Sequence, residues 1–393
     1  MTGPTAPASA PDGRSPFERV DRWPTALVGV FALVAVVAAS AHQALAAAAQ
    51  VWPPFVLVTG LLLVGLVADG DGLFAWAGRA LADLAPGGRS LFVGGCLTVA
   101  VVTAVLNLDT AVVFLTPVLV HAGRRTGSGG GPLVVACILV ANASSLLLPG
   151  SNLTNLLVLG HLHLTGGQFL ARMALPWALV VVVTIAVVAA AGRLPADRPD
   201  VDGPAGPPVT IGLGAAAVVA ATAAVLVLRE PALPVLAIGA VVAGARLVAG
   251  RTRPDDVGRT LGVPVLVALF GIAVALGTLG RAWSGPSTLL THLDAPGTAV
   301  VAAAASVLVN NLPAASLLAA RTPPHPFALL LGLDVGPNLF VTGSLAWVLW
   351  WRTTRAAGVR PPTGRAVVLG LVSAPLALAV GLLALSATGV RGH

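Results

Sequence analysis

The sequence predicts an all-α polytopic membrane protein, an inverted repeat with two re-entrant hairpins and two broken transmembrane helices. Three observations carry this. Of 393 residues 56% are hydrophobic and only 9% charged, with a mean hydropathy of +0.93, whereas soluble chains average about 25% charged residues. The basic residues are all arginine and favour one side of the membrane once two stretches are read as hairpins. Polar residues and helix breakers interrupt the apolar stretches at matching places in the two halves.

A helical span needs about 20 mostly apolar residues, because lipid cannot satisfy a backbone N–H or C=O. Uninterrupted spans are expected at 24–42, 54–70, 173–192, 209–228, 232–249, 262–280 and 366–388. The apolar stretches 91–120, 132–164 and 297–351 carry polar interruptions. Residues 1–22, rich in Pro, Ala and charge, read as a disordered tail. The first repeat is placed at 23–192, a cytoplasmic linker at 193–208, and the second repeat, with an extra joining helix, at 209–389.

Arginine placement tests this topology. With a cytoplasmic N-terminus and with 91–120 and 297–320 read as hairpins, 17 of the 22 arginines fall inside. Arg172, Arg229, Arg281, Arg321 and Arg391 remain outside. The result is nine spanning elements, two hairpins entering from opposite faces, and a multi-pass protein of the plasma membrane. Trp23, Trp52, Trp283, Trp350 and Trp351 are expected at span ends, where indoles favour the interface.

Inverted repeats with interrupted helices are an architecture of secondary transporters. Asn107-Leu-Asp109-Thr110 in the first hairpin matches Asn310-Asn311-Leu-Pro313 in the second. Gly150-Ser151-Asn152-Leu153 in one broken span matches Gly336-Pro337-Asn338-Leu339 in the other, so Asn152 and Asn338 are expected in equivalent places. Asp109, Asn152, Asn155, Asn310, Asn311, Asp334 and Asn338 all lie within long apolar stretches. An ionised Asp at mid-bilayer costs about 3 kcal/mol on insertion scales, so such residues face a cavity or a partner. Broken helices also expose free N–H and C=O ends that hold solutes. The competing use of these residues is hydrogen-bonded glue between spans. Symmetry of the clusters favours a site.

Other chemistries are poorly served. With no lysine, the chain has neither a Walker-type phosphate loop nor a Schiff-base residue. Its arginines are too dispersed for a nucleic-acid surface. No cofactor or resident metal is expected, and no Ser-His-Asp or His-Glu zinc pattern occurs. His161 and His163 form a weak metal pair in an expected outer turn. Cys96 and Cys137 read as small core residues. Asp69, Asp71 and Asp83 read as ordinary acids near the inner interface.

Four segments resemble the arsenite permease family of the ion transporter superfamily, which is related to sodium/proton antiporters and citrate or dicarboxylate transporters. They are Leu106-NLDTAVVFLT-Pro117, Ala141-NASSLLLPGSNLT-Asn155, Val309-NNLP-Ala314 and Leu333-DVGPNLFVTGS-Leu345. Here Leu108 separates Asn107 from Asp109, which are adjacent in that family, and Pro149-Gly150 precedes the Ser-Asn pair. The resemblance implies an arsenite/antimonite efflux permease coupled to proton antiport, which is not an enzyme. It further implies a soluble ATPase partner, and a site drawn from Asn107, Asp109, Thr110, Ser151, Asn152, Asn155, Asn310, Asn311, Asp334, Asn338, Thr342 and Ser344. The alternatives are a sodium/proton antiporter and a citrate-type anion permease. Asp334 is read either as a carboxylate that exchanges a proton or as the N-cap of the half-helix after its break.

Cysteines placed in 246–260 or 352–365 are expected to resist membrane-impermeant thiol reagents in whole cells. Efficient labelling there would overturn the topology and the inverted repeat together.

Overall fold

The computed structural model describes residues 23–74, 76, 88–125, 131–160, 162, 164–191, 212–228 and 230–388. The expected tail 1–22, the linker 193–208, Asp83, His161 and His163 lie outside the described residues.

The chain opens with α1 (Trp23–Gly70), 48 residues long. A straight helix of that length would span about 72 Å, against about 30 Å of hydrocarbon. Ser40 resolves this by leaving the helical region (φ −161°, ψ 89°) and dividing the helix into two arms. Gly29 on the first arm lies against Ala268 and Gly271, and Phe55 on the second packs edge-on against Phe270 with centroids 5.4 Å apart. The chain therefore doubles back at Ser40. A loop was expected between 42 and 54, yet the helix continues through Pro53 and Pro54. The intervening Ala-rich run Gln43–Val51 is a strong helix former that outweighs two missing backbone donors.

The first repeat continues with α2 (Gly88–Val105) and α3 (Leu108–Arg125), two limbs of a hairpin that reverses at Leu106–Asn107. A broken span follows, made of α4 (Gly131–Ser144), a 3₁₀ turn (Pro149–Ser151) and α5 (Leu153–Leu159). Then come α6 (Gly166–Ala191) and the joining helix α7 (Leu213–Val227). The second repeat comprises α8 (Ala232–Val248), α9 (Pro254–Leu261), α10 (Val263–Ala282) and α11 (Gly285–Thr291). Its hairpin is α12 (Ala295–Val309) with α13 (Asn311–Leu318). Its broken span is α14 (Pro326–Val335), a 3₁₀ turn (Gly336–Leu339) and α15 (Leu345–Ala356), and α16 (Thr363–Ala387) closes the fold. Among the described residues all regular structure is helical, and five helices are long and apolar enough to cross a membrane.

Hydrogen bonds define two faces. Gln50 reaches Leu157, Ala319 and Arg281 at one face; Asp71 meets Gly214 and Arg246 at the other. Since α6 begins beside Val225 and ends where Arg365 donates to Ala191 O, Arg365 belongs to the Asp71 face. The first hairpin enters from the Asp71 face and the second from the Gln50 face, as an inverted repeat requires. Arg246, Arg251, Arg253, Arg259, Arg352, Arg355, Arg360 and Arg365 gather on the Asp71 face, whereas Arg172, Arg281 and Arg321 lie toward the other.

Two sequence expectations need correction. Trp350 is not interfacial: it is fully buried and its indole donates to Val134 O at 2.7 Å. Asp71 is no ordinary surface acid. Its Oδ1 pairs with Arg246 Nη1, and its Oδ2 accepts from Gly214 N–H at 2.7 Å. Arg246 also donates to Gly70 O and to Thr252 Oγ1, each at 3.2 Å. This pair fastens α1, α7 and α8 at one level. Nearby, Gly239 brings α8 against the carbonyl of Gly60, where a Cβ would collide.

Removing one member of a buried pair leaves the other charge uncompensated. Arg246→Met is expected to lose about 3 kcal/mol of stability, read as a lower unfolding midpoint in detergent. Adding Asp71→Asn should restore most of the loss. An Arg246→Met protein as stable as wild type would show that the pair does not fasten these helices.

Candidate binding site at the crossed helix breaks

In the first repeat α4 stops because the chain runs toward Pro149, which has no N–H and disfavours helix at the residue before it. Leu148 (φ −123°, ψ 155°) and Asn152 (φ −150°, ψ 144°) are accordingly extended, on either side of the 3₁₀ turn. The carbonyls freed by the break are met by side chains. Asn155 Nδ2 donates to Ser145 O at 2.7 Å and Leu148 O at 3.0 Å. Ser151 Oγ lies 2.5 Å from the same two oxygens and accepts from Leu148 N–H at 3.2 Å. Ser151 and Asn155 thus brace the break. In the second repeat Pro337 sits in the turn and Ser344 (φ −148°, ψ 158°) precedes α15.

The two breaks cross, and each repeat supplies donors to the other. Asp334, near the end of α14, is fully buried. Its Oδ1 accepts from Asn152 Nδ2 at 2.9 Å and from Thr154 Oγ1 at 2.5 Å. Its Oδ2 has no hydrogen-bond partner among the described residues, and the Ser145 hydroxyl lies near the carboxyl group. Asn152 Nδ2 also reaches Ser145 Oγ at 3.1 Å, while Asn152 Oδ1 accepts from Thr154 N–H at 3.4 Å and so caps α5. Reciprocally, Asn142, near the end of α4, accepts from Ser344 Oγ at 3.0 Å and donates to Asn338 Oδ1 at 3.0 Å. Asn338 Nδ2 donates to Leu139 O at 2.9 Å. The donors reaching Asp334 are amide and hydroxyl groups.

This geometry revises the expected equivalences. Asn152 corresponds to Ser344, since each directly precedes the second half-helix of its repeat. Asp334 corresponds to Asn142, since each closes a first half-helix and receives the opposite Asn152 or Ser344. Asn338 instead lies within a 3₁₀ turn. Nor does Asp334 cap the half-helix after its break: its bonds run to side chains of the other repeat.

The hairpin tips differ in company. Asn107 Oδ1 caps α3 by accepting from Thr110 N–H at 2.6 Å. Asn107 Nδ2 and Thr110 Oγ1 are buried without a hydrogen-bond partner among the described residues, and Asp109, in the first turn of α3, is half-buried. At the second tip Asn310 takes φ 75°, and among the described residues no other non-glycine has a positive φ. That costs about 1–3 kcal/mol and persists only where its surroundings impose it. Asn310 Nδ2 donates to Thr342 O at 3.3 Å, Asn311 N–H to Gly343 O at 2.9 Å, and Thr342 Oγ1 to Val307 O at 2.6 Å. The second tip is therefore docked on the second break. Asn107, Asp109 and Thr110 have no hydrogen bond to the crossed breaks among the described residues.

The two halves also differ in exposure. Asn107 and Asn152 are buried, whereas Leu308 is 80% and Phe340 47% exposed, with Thr342 open beside them.

Asn142, Ser145 and Thr154 escaped the sequence reading. Asn142 is an amide in an unbroken apolar run, the signal that singled out the others. Ser145 and Thr154 are small hydroxyl residues, common in membrane helices for packing alone.

The sequence model of the citrate transporter family matches residues 16–342. The arsenical pump membrane protein of Escherichia coli K12 is 26% identical over 336 residues, covering 76% of this chain and 78% of that protein. Inner membrane protein YbiR of the same organism is 26% identical over 314 residues, covering 77% and 82%. The silicon efflux transporter LSI3 of Oryza sativa subsp. japonica is 29% identical over 143 residues, which is 36% of this chain and 29% of that one. The YdaH transporter of Alcanivorax borkumensis superposes with a TM-score of 0.59 at 14% identity, over 93% of this chain and 99% of its own; at that identity it shows shared fold alone.

If Asn142 and Asn338 hold the breaks together, Asn142→Ala and Asn338→Ala should couple. A double-mutant cycle on thermal unfolding is expected to return about 1 kcal/mol of interaction. Strict additivity would mean that the bond contributes nothing.

Proposed function

The chain belongs to the citrate transporter family, and from that premise we propose that it exports arsenite and antimonite, as their neutral hydroxides, in exchange for protons. That it is a multi-pass secondary membrane transporter follows from the family and its relatives. The cargo and the coupling ion are our reading.

One observation carries it: Asp334 is buried, half of its carboxyl group is held by Asn152 and Thr154, and its other oxygen has no hydrogen-bond partner among the described residues. Arsenous acid is neutral at physiological pH and presents three hydroxyls, each able to donate and accept. Amides, hydroxyls and one carboxyl oxygen complement it. A tricarboxylate would want cationic donors instead, and the donors reaching Asp334 are neutral. The names of the arsenical pump and silicon efflux relatives support export of this kind of solute.

Coupling follows from competition at one oxygen. With Asp334 deprotonated, a cargo hydroxyl donates to Oδ2. Protonation turns Oδ2 from a charged acceptor into a neutral donor, which weakens its hold on the cargo, so proton and cargo compete for it. An empty, ionised carboxylate is costly to carry through a low-dielectric interior. The transporter therefore crosses loaded either with cargo or with a proton, and antiport results. The second reading, a sodium/proton antiporter, draws on Asp109 and on the Thr110 hydroxyl, which has no hydrogen-bond partner among the described residues; carboxylate and hydroxyl oxygens suit a hard cation.

Everted vesicles separate the readings. Arsenite should accumulate when the lumen is acidified, and Asp334→Asn should abolish accumulation while sparing downhill exchange. Sodium-driven proton movement without arsenite accumulation would favour the second reading. An Asp334→Asn protein that accumulates arsenite with unchanged dependence on the proton gradient would remove Asp334 from the coupling.

A further inference from the structure

On the Gln50 face, one side chain gathers elements of both repeats. Gln50, on the second arm of α1, donates through Nε2 to Ala319 O at 2.9 Å and to Leu157 O at 3.3 Å. Its Oε1 accepts from Arg281 Nη2 at 2.5 Å. Ala319 terminates α13, the second limb of the second hairpin. Leu157 lies in the last turn of α5, beyond the break of the first repeat. Gln50 thereby ties one element of each repeat to α1. Arg281 ties the same point to α10, and Arg321 Nη2 donates to Arg281 O at 2.9 Å.

A cavity of about 1070 Å³ opens beside them, lined by Gln50, Arg281, Glu230 and Gly160, with Pro149 and Leu156 on the side of the first break. Pro149 begins the turn that carries Ser151 and Asn152, so this side of the cavity is also the wall of the candidate site. The opposite approach, at Leu308, Phe340 and Thr342, is exposed.

We propose that Gln50 and Arg281 form the latch of a gate on this face: the cavity is its vestibule, and α5 with the end of α13 is the gate. The proposal rests on the transport reading. Its chemistry is that of helix ends. The last carbonyls of α5 and α13 lack partners within their own helices, and a guanidinium-backed amide suits the negative end of a helix. Because the vestibule can admit water, released carbonyls are rehydrated, and each bond is worth only about 1 kcal/mol net. The contact is strong enough to bias the gate and weak enough to open in every cycle.

The test is the thiol-labelling rate of purified full-length protein carrying Cys96→Ala and Cys137→Ala. Leu153→Cys, buried next to Asn152 and one turn from the cavity-lining Leu156, reports access past the gate, and Thr342→Cys reports the opposite approach. Gln50→Leu keeps the volume and removes the bonds. It should speed labelling at Leu153→Cys about tenfold, the factor given by about 1.4 kcal/mol, and slow it at Thr342→Cys. Arg281→Gln should shift both rates in the same directions to a smaller extent, and decides the matter if Gln50→Leu fails to fold. Faster labelling at both positions, the mark of general loosening, or no change at either, overturns the latch. Labelling needs no cargo, so a wild-type protein that moves no arsenite would sink the cargo reading while leaving this result standing.

Discussion

A helix interrupted inside a bilayer strands carbonyls and amides where water cannot relieve them, and this constraint organises the molecule. At the first break Ser151 and Asn155 serve the carbonyls of Ser145 and Leu148. At the second, Trp347 serves Pro337 O. Once these demands are met locally, the remaining polar atoms are free to face the other repeat. Asp334, Asn142, Asn152 and Ser344 then meet at the crossing. Glue and site, posed as alternatives for such residues, are two layers of one arrangement. The outer layer satisfies the backbone, and what it leaves over makes a binding surface.

Packing holds the crossing in register. Gly370 on α16 lies against the carbonyl of Asn338, where any Cβ would collide, so α16 fixes the height of the second turn. Gly332 and Gly336 bring α14 against α12 in the same way. The hairpin, the broken span and α16 therefore form a compact group. The long helices α1 and α10, fastened through Phe55–Phe270 and Gln50–Arg281, form a frame beside it. The two groups meet where Gly280 on α10 lies against the carbonyl of Leu317 on α13 and where Gln50 reaches Ala319 O.

Much of this was legible in the residues. Apolar run length set the spans at α6, α7, α8, α10 and α16 to within a few residues, apart from the longer start of α6. Arginine bias identified both hairpins, because no other folding of the apolar stretches gives it. The region 43–53 misled because the two apolar spans were read as separate helices, whereas the alanine run between them continues the helix. Pairing between the repeats was misassigned because matching short motifs aligns letters. The physical correspondence is positional: the residue before a half-helix in one repeat faces the residue ending a half-helix in the other. Gln50 was invisible for a different reason, since a lone glutamine in an Ala-rich helix carries no signal until α5, α10 and α13 converge on it.

The ion pair between Asp71 and Arg246 joins positions separated by 175 residues, one in each repeat. During synthesis the aspartate leaves the ribosome long before its arginine exists. The first half must therefore wait in the membrane with an unmatched acid at the end of α1 and with Asn152 facing no Asp334. Neither repeat completes its own polar contacts: each leaves groups that only the other supplies partners for. The protein reaches its native state only when the later half arrives, and the order of translation is built into the order of assembly.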